Sequence, residues 1–294
     1  MLIVGCGYIG ERVAARLLAK NEAVTGVVRS SERAEKLRSV GVSVIQCDLD
    51  LTQLPSASTQ GESIFYFAPP PAKGVCDTRM QAFIDGLASS GQPARIIYIS
   101  TTGVYGDCHG DWVDETWPAR PQVDRARRRW DAEQLLQKWA KSTGAEVVIL
   151  RVAGIYGPGK LPLARLKKDL PMVAEAEAPW TNRIHADDLV TTCLAAMQRG
   201  KNGEVYNVCD GVPGNMTDYF NRVADMANLP RPPVISAELA ATELSPGLLS
   251  YLAESRRLSN KKLLEHLAVT LRYRSLREGL PACFGSLPGE GDGA

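Results

Sequence analysis

Gly5-Cys6-Gly7-Tyr8-Ile9-Gly10 follows directly on the apolar triplet Leu2-Ile3-Val4, and Val13 and Leu17 continue from Ile9 at helical spacing. A buried strand, a glycine turn and a helix in such quick succession leave few folds open. Each glycine of this spacing has a task. Gly5 permits the tight turn, Gly7 lets the backbone approach a pyrophosphate, and Gly10 lets the helix pack closely on the strand. The phosphates would rest on the helix N-terminus, at Tyr8 and Ile9, where amides lack partners within the helix. A second strand over residues 23–28 arrives at the distance that a dinucleotide-binding unit requires.

The end of that second strand selects the cofactor. A site for NAD usually has an Asp or Glu about 20 residues past the glycines, accepting from the ribose 2′-hydroxyl. Here Arg29 stands in its place, followed by Ser30 and Ser31. A planar guanidinium suits a 2′-phosphate and gains nothing from a free hydroxyl. NADP is therefore favoured, with NAD the alternative.

Composition adds mainly exclusions. Of 294 residues, 45% are hydrophobic and 23% charged, with 34 Lys and Arg against 33 Asp and Glu. So even a balance gives no global electrostatic case for nucleic acid or a membrane surface. The longest basic run, Arg125 to Arg129, has no aromatic platform beside it, and its successive residues point in different directions on a helix. No apolar stretch is long enough to span a bilayer, and no basic, apolar leader opens the chain, so a cytoplasmic location is expected. The seven cysteines are scattered and read as free thiols. Neither they nor the three histidines show metal-ligand spacing.

Further apolar strands alternate with helices: 42–47 ending at Asp48-Leu49, 63–68 ending at Ala68-Pro69, and 95–100 ending at Thr101-Thr102. Alternation of this kind specifies an α/β fold, a Rossmann-type doubly wound parallel sheet. Ligands of such sheets bind at the carboxyl ends of the strands. Gly5, Arg29, Asp48, Ala68 and Thr101 are thus expected along one rim.

Several later segments resemble the short-chain dehydrogenase/reductase superfamily, specifically its extended, epimerase/dehydratase-like branch. They are Ile99 to Asp107 (ISTTGVYGD), Leu150 to Gly159 (LRVAGIYGPG), Asn182 to Leu189 (NRIHADDL), Val205 to Val208 (VYNV), Ser259 to Leu263 and Leu276 to Leu280. They occur in the family's order over residues 1 to about 284. The resemblance implies that Thr101 meets the reacting oxygen and that Val152 borders the cofactor. It also implies that Thr102, Tyr105, Tyr156 and Arg183 face the substrate, Arg183 meeting the phosphate of a nucleotide-linked one.

The same resemblance marks two departures. The family's catalytic Tyr, and the Lys four residues after it, fall on Arg125 and Arg129 when counted back from Glu133. Arginine is not deprotonated in proteins, so Arg125 cannot supply the family's phenolate base. Arg129 retains the donors and the charge to hold a nicotinamide ribose. Tyr105 is the first candidate to replace the missing base, followed by Tyr156, against a plain lining or packing role for both; Asp107, Glu115 and Asp124 are further candidates. Gly154 stands where many nucleotide-sugar members carry an Asn.

Domain organisation follows from these pieces. Residues 1–157 and 183–210 are expected to form the NADP-binding domain. Residues 158–182 and 211–284 are expected to form a small, mainly helical C-terminal substrate lobe, and 285–294 a mobile tail. The family's two-helix dimer contact would use residues 78–90 and 123–143, where the arginine run disfavours a tight apolar homodimer. Two functions follow. One is an NAD(P)-dependent epimerase/dehydratase-like oxidoreductase acting on a small polar, nucleotide-sugar-type molecule. The other is a nucleotide-binding protein without turnover.

Overall fold

The computed structural model describes residues 1–52, 54–55, 59–90 and 92–285. The tail expected beyond Gly285 lies outside the described residues. Seven parallel strands form one sheet in the order β3-β2-β1-β4-β5-β6-β7. They are β1 (Leu2–Val4), β2 (Thr25–Val28), β3 (Ser43–Gln46), β4 (Ser63–Tyr66), β5 (Arg95–Thr101), β6 (Val147–Val152) and β7 (Val205–Val208). The first half runs outward from β1 to β3 and the second from β4 to β7. The strand order therefore reverses between β1 and β4, where this class of sheet opens its ligand crevice.

Alternating side chains send Ile3, Phe65, Ile97, Val148 and Leu150 to one face and Leu2, Val4, Ile64, Tyr66, Ile96, Tyr98 and Ile149 to the other. Both faces are covered, so the strands read as continuous apolar runs. On the first face lie α1 (Tyr8–Leu18), α2 (Ser31–Ser39) and α5 (Ala186–Arg199), through Val13, Leu17, Leu37, Leu189 and Cys193. On the second lie α3 (Thr78–Ser90) and α4 (Asp124–Thr143), through Met80, Phe83, Leu87, Ala132 and Leu136. Ser30 caps α2, its Oγ accepting from the Arg33 amide. Gly144 ends α4 in the left-handed conformation.

The lobe has its own core of Tyr156, Leu166, Met172, Tyr219, Phe220, Val223 and Leu280, built around α6 (Met216–Met226). A further helix, α7 (Pro246–Leu252), starts with Ser245 as its cap. The expectation that residues 211–284 all belong to the lobe needs one correction. Leu263, Leu267, Val269 and Leu271 pack in the sheet's own core with α5 and Tyr206, because the helix Lys261–Leu267 carries its apolar positions toward β7. Among the described residues, no helix is long and apolar enough to cross a membrane.

Candidate functional site

Backbone bonds hold the glycine turn. Val27 O accepts from the amides of Gly5 and Cys6 at 3.1 and 3.0 Å, and Gly5 O accepts from Gly7 at 2.7 Å. Gly7 caps α1 without a side-chain bond, so the first helical amides lack partners within the helix. Gly5 has φ +83°, and a Cβ there would lie on the Ala68 backbone, 2.6 Å from its Cα. Gly10 faces Ile3 and Cys6, with Ile3 Cγ2 3.1 Å from where its Cβ would stand.

At Gly7 the neighbours are sparse, the nearest being Arg33 Nη1, 3.7 Å from a Cβ. Gly5→Ala is therefore expected to lower both stability and dinucleotide affinity, through positive φ and collision with the Phe67–Ala68 backbone that follows β4. Gly7→Ala should leave stability nearly intact and lower affinity alone. Thermal melts and nucleotide titrations of the two variants check this; equal stability losses would contradict it.

Cations gather around that turn. Arg33, from α2, pairs with Glu11 at 2.9 Å. The Arg12 guanidinium lies 4.0 Å from the centroid of the Tyr8 ring and the Lys160 ammonium 5.0 Å. The Tyr8 hydroxyl donates to Pro158 O at 2.9 Å, tying the loop after Tyr156 to the helix start. Glu11 already compensates Arg33, whereas Arg12 and Lys160 have no carboxylate within 4.0 Å among the described residues; positive charge at a helix N-terminus is unfavourable unless an anion lies there, so these two suit a pyrophosphate. Arg33 and Lys160 escaped the sequence reading because neither belongs to the glycine motif.

At the edge of the crevice Arg29 is exposed after β2, its carbonyl accepting from Gln46 Nε2 at 3.2 Å. Asp48 folds back on its own turn, Oδ1 accepting from the Asp50 amide at 3.0 Å, with half-buried Leu49 beside it.

The deeper part of the crevice is a cleft of about 460 Å³ at the carboxyl ends of β5 and β6. Thr101, Thr102, Arg125, Arg129, Val152 and Arg183 line it, together with Tyr251, Glu254 and Arg256 from the lobe. Thr101 Oγ1 accepts from the Gly103 amide at 3.2 Å, which fixes the hydroxyl at the strand end. Arg129 Nη1 donates to Ile99 O at 2.9 Å, Tyr98 Oη at 3.3 Å and Ala68 O at 3.4 Å. It thus bridges the ends of β4 and β5. Arg125 reaches the other way, donating to Ser250 Oγ and to Ser250 O, the latter at 3.1 Å, with its guanidinium 4.0 Å from the Tyr251 ring centroid. Glu254 is buried. Its Oε2 accepts from both Arg256 Nη atoms at 3.0 Å, and its Oε1 has no partner among the described residues.

Gly154 and Arg183 explain each other. A Cβ at 154 would collide with the Arg183 guanidinium, lying 3.3 Å from Cζ, so the glycine makes room for the arginine. Arg183 stacks on the Tyr219 ring at 4.4 Å, its Nε is buried and unpartnered among the described residues, and burial holds it below the ordinary arginine range. Asp210 faces it from the end of β7, pushed up to about 7 chiefly by burial.

Two expectations are corrected. Tyr105 is 1% exposed, and its hydroxyl donates to Asn207 Oδ1 at 2.8 Å beneath the Arg151 guanidinium. The 3₁₀ turn Thr102–Tyr105 rotates it into the core, and burial pushes it up to about 12. It is no acid or base for the cleft. Tyr156 is fully buried in the lobe core, its hydroxyl donating to Ser275 O at 3.3 Å. It packs the lobe and does not border the cleft.

The other carboxylates are engaged elsewhere. Asp107 Oδ1 accepts from Ser255 N, Glu115 Oε1 from Asn207 N, and Asp124 pairs with Arg127 on the exterior. His185 caps α5, with Nδ1 accepting from the Asp187 amide at 3.2 Å. Asp188 accepts the amides of Arg272 and Tyr273.

Comparison with known proteins sets this geometry among relatives. The model of the NAD dependent epimerase/dehydratase family matches residues 1–209. Protein YeeZ of Escherichia coli (strain K12) is 28% identical over 246 residues, 78% of this chain and 84% of that protein. A functionally unknown conserved protein from Silicibacter pomeroyi DSS superposes with a TM-score of 0.85 at 30% identity, each chain covered to 97%. MoeE5, solved in complex with UDP-glucose and NAD, shares the fold with a TM-score of 0.75 at 22% identity over 96% of both chains.

Proposed function

The chain belongs to the NAD-dependent epimerase/dehydratase family, and on that premise we propose that it is an NADP-dependent oxidoreductase acting on a small polar molecule in the cleft above β5 and β6. The observation that carries this reading is that Thr101 and Arg129 border one cleft, and that Arg129 donates to Ala68 O, whose backbone packs against Gly5 of the glycine turn. Gly5, Gly7, Tyr8, Ile9 and Gly10 would hold the pyrophosphate. Arg29, Ser30 and Arg33 would hold the 2′-phosphate, Asp48 and Leu49 the adenosine end, and Ala68, Pro69, Arg129 and Val152 the nicotinamide end. When bound, the cofactor supplies hydride transfer at the nicotinamide ring.

The protein's own part is to orient the substrate and move a proton. Thr101 hydrogen-bonds the reacting oxygen, and Arg129 contributes fixed positive charge where negative charge develops. Arg125 stays protonated and takes no part in proton transfer. That role passes to Tyr251, the tyrosine that α7 brings to the cleft wall against Arg125. In this reading a phenol from the lobe replaces the one missing from α4.

Cofactor preference gives the first test. Titration calorimetry with NADP, NADPH, NAD and NADH should favour the phosphorylated pair. Arg29→Asp should reverse the order, costing NADP roughly tenfold to a hundredfold, the value of a charge-assisted bond to phosphate. Equal affinity of the native protein for NAD and NADP would remove Arg29 from the site. Turnover is sought by following nicotinamide absorbance against nucleotide sugars and small oxo and hydroxy compounds.

A further inference from the structure

The guanidiniums of the cleft are short of counter-charge. Among the described residues, none of Arg125, Arg129 and Arg183 has a carboxylate oxygen within 4.0 Å. The Arg129 side chain donates only to neutral acceptors, that of Arg125 only to Ser250, and that of Arg183 makes no hydrogen bond to a described residue. Glu254 is the carboxylate of the cleft wall, and it is held by Arg256. Asp210 faces Arg183 from outside the wall and does not reach it as an ion pair. Charges this poorly compensated in a half-enclosed site are unfavourable without an anion to receive.

The first turn of α4 packs on the Thr101 turn, since a Cβ at Gly103 would touch Ala126 Cβ at 3.5 Å. Arg125 therefore stands beside the end of the cleft where Thr101 would hold the reacting oxygen, and Tyr251 touches Arg125 and lies in the electrostatic surroundings of Arg183.

We propose that the cleft takes a substrate bearing an oxyanion, carboxylate or phosphate ester, close to its reacting carbon, and that Arg125 is the residue that receives this group. The inference rests on the cofactor reading above and names the substrate class of the same site. A neutral group at that end of the substrate, as in an uncharged hexose ring, would leave Arg125 with only the Ser250 oxygens and the Tyr251 ring, and no counter-charge among the described residues.

The test is calorimetric titration of the protein with inorganic phosphate, with pyruvate, and with acetone as the neutral control, each with and without saturating NADP. Runs without nucleotide keep the two readings apart: failure of NADP to bind counts against the cofactor assignment and leaves the anion titrations to be judged alone. With NADP saturating, at least one anion should bind and acetone should not; the phosphate and pyruvate arms identify the kind of oxyanion. Arg125→Met should weaken that binding by tenfold or more, and Gly154→Ala, which crowds Arg183, should weaken it as well. Arg127→Gln, an exterior arginine on the same helix, should change it less than twofold. Absence of binding by both anions, or an Arg125→Met protein that binds as tightly as the native one, would overturn the proposal.

Discussion

Tyr251→Phe is expected to lower kcat by about 10²–10⁴-fold, the usual contribution of a positioned acid–base group, with NADP affinity unchanged. The substitution removes one hydroxyl and keeps the ring on which the Arg125 guanidinium lies at 4.0 Å. The seam between α4 and α7 should therefore survive, and the loss should appear in kcat rather than in KM. A pH profile of the native enzyme set beside that of the variant separates lost proton transfer from a displaced substrate: only the former removes an ionisation from the profile. If turnover is intact in Tyr251→Phe, the phenol is not the proton donor. Glu254, with its unpartnered Oε1 in the same cleft wall, is then the group to replace.

The alternative of a nucleotide-binding protein without turnover makes the opposite forecast. It draws on the same two arginines, both tied to protein acceptors rather than poised beside a phenol on α4. Under it, NADP binds, no compound in the screen is oxidised or reduced, and Tyr251→Phe is silent in every assay. Turnover of any compound ends that reading.

The parts of this site that could be read from the sequence are those whose chemistry is local. The glycine turn declares itself because all its parts lie within six residues. The replacements at 125 and 129 emerge by counting from Glu133, which keeps its place because it is buried and bonded on three sides. Tyr105 misled because nearness to Thr101 along the chain says nothing about which way a 3₁₀ turn rotates the next side chains. Here the turn points the ring inward, where the Asn207 amide satisfies its hydroxyl. Tyr251, Glu254 and Arg256 were out of reach for another reason. They come from a lobe with no regular motif, and only the docking of α7 on Arg125 brings them to the rim. Gly154 carried a signal that could have been used, since loss of a side chain opposite a half-buried arginine makes room for it.

Glu133→Ala is expected to destabilise the protein by about 3–5 kcal/mol, the cost of stripping one partner from a buried ion pair, and so to lower Tm by roughly 10 °C. Glu133 is fully buried, its Oε2 accepting from Arg151 Nη2 at 2.7 Å and Nε at 3.1 Å while Oε1 accepts from Ser100 Oγ. Without it, the Arg151 guanidinium keeps, among the described residues, the Tyr105 and Trp130 rings at 4.7 and 5.6 Å. These soften an unpaired charge by about 1–2 kcal/mol at most. The pair itself contributes far less than this loss suggests, because two charges must be taken out of water to form it. Glu133→Leu combined with Arg151→Met should therefore recover most of the stability, as read by urea unfolding of the single and double variants. The recovered fold should still be poorer in turnover, since Ser100 loses its acceptor next to Thr101 and the strand end that fixes the reacting hydroxyl loosens. If the double variant is as unstable as Glu133→Ala, the loss does not come from the stranded Arg151 charge; if the single change is neutral, Glu133 does not hold α4 against β5 and β6.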